Sequence, residues 1–134
     1  MPYRDMLNDM SNPDLTTASG AAQFGTIIDF GVADRQIGIG TPLQVRTQID
    51  TLPVVATDNT MTLTIETSAN ADMSSSDVLH TMVSGAAPPA AGTQFLFTVP
   101  ATGMKRYMAV KATPAATRAF TAGAFTSFVE PHVG

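Results

Sequence analysis

Cysteine is absent from this chain, and its absence removes every disulfide and every thiolate metal site. Packing and association must therefore hold the fold. Tryptophan is absent too, and only Tyr3 and Tyr107 accompany seven phenylalanines. A sugar platform favours flat rings with a polar edge, so carbohydrate binding is poorly provided for. Charge is scarce at 13% of residues, about half the usual ~25%. The basic residues Arg4, Arg35, Arg46, Lys105, Arg106, Lys111 and Arg118 are scattered, and only Lys105 and Arg106 are adjacent. With a formal net charge of −4 there is no electrostatic footprint for phosphates, and nucleic acid is not expected as a partner. The opening Met1-Pro2-Tyr3-Arg4-Asp5-Met6 has no apolar signal core, and no later run approaches a membrane span. No membrane partner is expected, and the chain is read as made and kept in the cytosol.

What is present is threonine, with serine, asparagine and glutamine, in a 134-residue chain that is 44% hydrophobic. A chain of this length buries roughly 70% of the surface its unfolded form exposes, enough for one core without cross-links. Hydroxyl and amide side chains solvate a strand face yet repel neighbours less than lysine and glutamate do. Such a surface suits contact with other subunits.

Residues 1–24 lack strand alternation and read as an irregular N-terminal arm. Met6, Leu7 and Met10 are placed on one face of a short helical turn ended by Asn12-Pro13, and the stretch after it reads as flexible. Deleting residues 1–20 is expected to leave a folded domain over residues 25–134. From Thr26 the texture changes. Leu43, Val45, Thr47 and Ile49 alternate with Gln44, Arg46, Gln48 and Asp50, the clearest period of two in the chain. Met61, Leu63 and Ile65 alternate with Thr60, Thr62, Thr64 and Glu66, a second half-buried strand.

Ala69 to Ser76 reads as a loop, and Asp77 to Val83 as a strand in preference to a capped helix. Ala86 to Gly92, with Pro88-Pro89, can continue neither. Phe95, Phe97 and Val99 alternate with Gln94, Leu96 and Thr98, Tyr107 to Ala112 forms the next strand, and Phe120 to Val129 the last. That last strand is apolar on both sides, with Phe120, Ala122, Ala124 and Phe128 on one and Phe125 and Val129 on the other. Such a strand is central or lies at a subunit contact. About eight strands with Gly/Pro-rich turns and no long helix argue for an all-β, jelly-roll-like β-sandwich.

Catalytic and metal chemistry find little support. His80 and His132 are far apart and carry no ligand spacing. Ser74-Ser75-Ser76-Asp77 with His80 supplies the residue types of a hydrolase but no strained nucleophile turn and no oxyanion loop. Gly38-Ile39-Gly40 lacks the third glycine of a dinucleotide fingerprint and is followed by Pro42, so it reads as a bulge at a strand entrance. No enzyme activity, cofactor or metal is expected.

Two pairs of blocks frame the strands. Ile27-Ile28-Asp29-Phe30-Gly31 and Ile37-Gly38-Ile39-Gly40-Thr41-Pro42-Leu43 stand near the start, and Arg106-Tyr107 and Phe120-Thr121-Ala122-Gly123 near the end. Together they resemble the capsid cement, or decoration, proteins of tailed bacteriophages, typified by that of a short-tailed Bordetella phage. The resemblance implies a jelly-roll subunit that forms homodimers or homotrimers on the outer surface of the virion. It also implies that the subunit bridges neighbouring major capsid proteins of the expanded head. On that reading Tyr3, Met6 and Leu7 are candidate capsid contacts, and Arg46, Phe125 and Val129 candidate self-association contacts. The alternative is a receptor- or carbohydrate-binding β-sandwich module of a phage tail or fibre.

Overall fold

Eight strands in two antiparallel sheets make up the computed structural model, which describes residues 9–12, 15, 23–29, 43–55, 60–99, 105–114 and 120–131. The strands are β1 (Gln23–Phe24), β2 (Ile28–Asp29), β3 (Leu43–Val55), β4 (Met61–Ser68), β5 (Asp77–Ala86), β6 (Gln94–Thr98), β7 (Tyr107–Pro114) and β8 (Phe120–Pro131). One sheet has the order β1-β7-β4-β5, with β2 also paired to β7; the other has the order β6-β3-β8. From β3 to β8, only β4 and β5 follow one another within a sheet, and every other step crosses to the opposite layer. The expected all-β sandwich is therefore present.

The period-two strands behave as their patterns dictate. On β3, Val45, Thr47 and Ile49 are buried while Gln44, Arg46, Gln48 and Asp50 face outward. From the facing sheet, Met61, Leu63 and Ile65 of β4 and Met108, Val110 and Ala112 of β7 meet Val45, Ile49, Val55, Phe120, Phe125 and Val129 in one core. At about 1.5–3 kcal/mol per large apolar side chain, this interlayer set is the main favourable term for a chain without cross-links.

Three placements differ from the sequence reading. On β4 the outer residues Thr64, Glu66 and Ser68 are also buried, so this strand is enclosed on both faces. On β8, Phe120 shares the inner face with Phe125 and Val129, because the β3–β8 register shifts between Ile49 and Val55 and breaks the alternation. A shift of one residue turns side chains to the opposite face.

The third difference concerns the segment read as an arm. Asp9 and Asn12 form antiparallel bridges to Phe128 and Phe125 of β8, so Met10 lies in extended chain and not in a helical turn. The Met10 amide donates to the Ser127 carbonyl at 2.7 Å, and the Thr26 amide donates to the Ser11 carbonyl at 3.2 Å. Met10 and Leu15 are wholly buried. Residues 9–12 thus form a strap that joins β8 of one sheet to the β1–β2 link of the other. It also explains an apolar β8 at the end of its sheet, since the strap lies on its far side. Tyr3, Met6, Leu7, the Gly38-Ile39-Gly40 segment and His132 lie outside the described residues.

Candidate association surface

The two outer faces of the sandwich are unequal. Over β4 the outer face is buried, whereas the outer face of β6-β3-β8 is half-buried to exposed along all three strands. Register sets the rows on this open face. Leu96, Arg46 and Phe128 lie side by side across β6, β3 and β8, and Gln94, Gln48 and Thr126 form the next row. Leu96 is 56% exposed, a large value for leucine beside a cation and a ring.

The polar groups here bond chiefly to one another. Arg46 Nη1 donates to Gln94 Oε1 at 3.2 Å, and Gln94 Nε2 donates to Gln48 Oε1 at 2.9 Å. Gln48 Nε2 reaches Asp50 Oδ1 at 3.5 Å, and the Thr126 hydroxyl donates to Asp50 Oδ2. Arg46, Gln48, Asp50, Gln94, Thr126 and Phe128 line a shallow hollow of about 400 Å³. The face is internally hydrogen-bonded and carries the apolar groups of Leu96 and Phe128. It offers area and fixed dipoles, the properties of a protein contact.

Of the residues expected to mediate self-association, Arg46 lies on this face. Phe125 and Val129 do not: they are 1% and 5% exposed and belong to the interlayer core. A side chain so enclosed has no surface left for a second subunit, and Phe128 is the β8 aromatic that faces outward. Sequence alone did not place Leu96 and Phe128 beside Arg46, because these neighbours are set by strand pairing.

A second concentration of polar groups lies where β4, β7 and β2 end. Arg106 binds Asp29 through two contacts, Nε to Oδ1 at 2.8 Å and Nη2 to Oδ2 at 3.0 Å, and its guanidinium lies 5.2 Å from the Tyr107 ring centroid. The hydrogen bonds it donates to Asp29, then the charge of that carboxylate, hold the Arg106 guanidinium further above its ordinary pKa. Lys105 pairs with Asp77 at 2.7 Å. The two blocks that frame the sequence therefore meet in space, since Asp29 is also the register partner of Tyr107.

Of the hydrolase-like residues, Ser76 and His80 have other partners. The Ser76 hydroxyl donates to Glu66 Oε1, and the His80 ring stacks on Phe97 at 4.9 Å.

A family model described as Bbp16 matches residues 10–129. No curated protein matches the chain.

Proposed function

Because the chain belongs to the Bbp16 family, the capsid cement proteins of Bordetella phage, we propose that it binds the outside of an expanded phage head. There it bridges neighbouring major capsid protein subunits against the pressure of packaged DNA. The match across residues 10–129 is the observation that carries this reading. A protein that binds only the expanded lattice stabilises that lattice by mass action. A single millimolar contact supplies about 4 kcal/mol of standard binding free energy. Linking two such contacts in one bridging unit raises overall affinity by roughly 10²–10⁴, so weak sites suffice if they are repeated.

Bridging requires either two capsid contacts on one subunit or subunits that associate. The open face of β6-β3-β8 suits the second route. Arg46 and Asp50 project from the same strand and face, so a second copy stacked about a two-fold axis would bring unlike charges together. Phe128 and Leu96 supply the apolar part. Phe128→Asp and Leu96→Arg should each lower the mass measured by light scattering to that of one chain, with the circular dichroism spectrum unchanged. A wild-type mass retained by both variants would remove this face from the bridge.

A shell-wide role also fixes copy number. Gel densitometry of purified virions should give a stoichiometry approaching one copy per major capsid protein. A handful of copies would instead favour a receptor- or sugar-binding component of the tail.

A further inference from the structure

We infer that the β4–β5 loop, residues 69–76, is a pre-shaped element through which this protein docks on the capsid shell, an assignment that rests on the cement reading above. Met73 and Ser75 have φ of 63° and 53°, left-handed values that side chains other than glycine seldom adopt. Backbone held there persists only where its surroundings over-determine it.

Those surroundings are present. Ser68 Oγ donates to the Ser74 carbonyl at 2.6 Å and accepts from the Asn70 amide at 3.0 Å. Asn70 Nδ2 donates to the same Ser74 carbonyl at 3.1 Å, and the Ser74 amide donates to Asp72 Oδ1 at 3.0 Å. Met73, only 2% exposed, plugs the loop from within although it lies outside the main core. At the loop's end Ser76 donates to the buried carboxylate of Glu66, whose other oxygen accepts from Thr64 at 2.6 Å.

All this fastening holds up a tip that is itself exposed and small: Ala69, Asn70, Ala71, Asp72, Ser74 and Ser75. A tip without bulky side chains lets another backbone approach closely. A loop already fixed in shape loses little freedom when it docks, and that loss is a principal cost of association. Beside it stand the exposed pairs Lys105–Asp77 and Arg106–Asp29. With both cations matched by carboxylates, this end suits a protein surface of mixed polarity and not a phosphate polymer or an anionic membrane. It also leaves the open sheet face free for a second copy.

The test uses the full chain and expanded capsids assembled without it, with binding followed by co-sedimentation. Ala69→Arg and Ala71→Trp should each weaken capsid binding at least tenfold, while thermal melting and light-scattering mass stay at wild-type values. Ala90→Trp, in the loop leading from the far end of β5, should bind as wild type does. Normal binding by both tip variants would overturn this assignment and leave the cement reading standing. Failure of the wild-type chain to bind would overturn the cement reading and this assignment together.

Discussion

The carbonyl oxygen of Met10 occupies the space where the first side-chain carbon of residue 25 would stand, so Gly25 and Met10 pack backbone against backbone. Gly25 also donates its amide to the Val110 carbonyl at 2.9 Å, which fixes it to β7 on its other side. Held between strap and sheet, neither partner has room to withdraw.

Gly25→Ala should therefore cost about 1–3 kcal/mol, the usual range for overpacking, or on the order of 4–12 °C in Tm. Gly85→Ala is a useful contrast. Gly85 has φ of 54° with nothing within 4 Å of an added carbon, so its cost would come from conformation alone. If the strap causes the effect at residue 25, a chain lacking residues 1–15 should tolerate Gly25→Ala with almost no further loss. An equal loss in both backgrounds would place the cause elsewhere.

The strap also gives the N-terminal segment a share in stability. Removing residues 1–8 leaves Met10, Leu15 and both bridges to β8 in place. Removing residues 1–15 deletes Met10 and Leu15, both wholly buried, together with the bridges to Phe125 and Phe128. At about 1.5–3 kcal/mol for each side chain, the larger deletion should cost roughly 3–6 kcal/mol. That is a large share of a typical 5–15 kcal/mol stability. Urea titrations of the two deletions measure the difference. Equal midpoints would mean that the strap contributes nothing, as the sequence reading of a dispensable arm supposed.

Where alternation is strict, the sequence was a sufficient guide. Val45, Thr47 and Ile49 turn inward because each is two residues from the next, and β4 repeats the logic with Met61, Leu63 and Ile65. Alternation cannot say what covers the opposite face, so the burial of Thr64, Glu66 and Ser68 was not legible. Nor can it follow a strand through irregular pairing, which is why Phe120 was placed on the wrong side of β8. The strap was hidden for a different reason: it is held largely by backbone hydrogen bonds, and these leave no periodic mark. On the association face Arg46 was legible as a wet-face cation, but its neighbours Leu96 and Phe128 come from strands 50 and 82 positions later and are assembled only by register. Phe125 and Val129 lie in the interlayer core, since an apolar strand serves a core as readily as an interface.

The docking loop carries a pH dependence whose sign follows from its hydrogen bonds. The carboxylate of Asp72 accepts from the Ser74 backbone amide, then from the Ser74 side chain, and both hold its pKa below the ordinary 3.8. A depressed folded-state value means that the contact stabilises the loop above pH 3.8 and is lost as pH falls through the lower folded-state value. Capsid binding should accordingly be insensitive to this group from neutral pH down to about 5, where its carboxylate is ionised throughout. The Ser74 amide proton resonance should shift on acidification with a midpoint below 3.8, and Asp72→Asn should abolish that titration. A midpoint at or above 3.8 would mean that the bond is not formed in solution, and the rigidity argued for the loop would lose one of its fastenings.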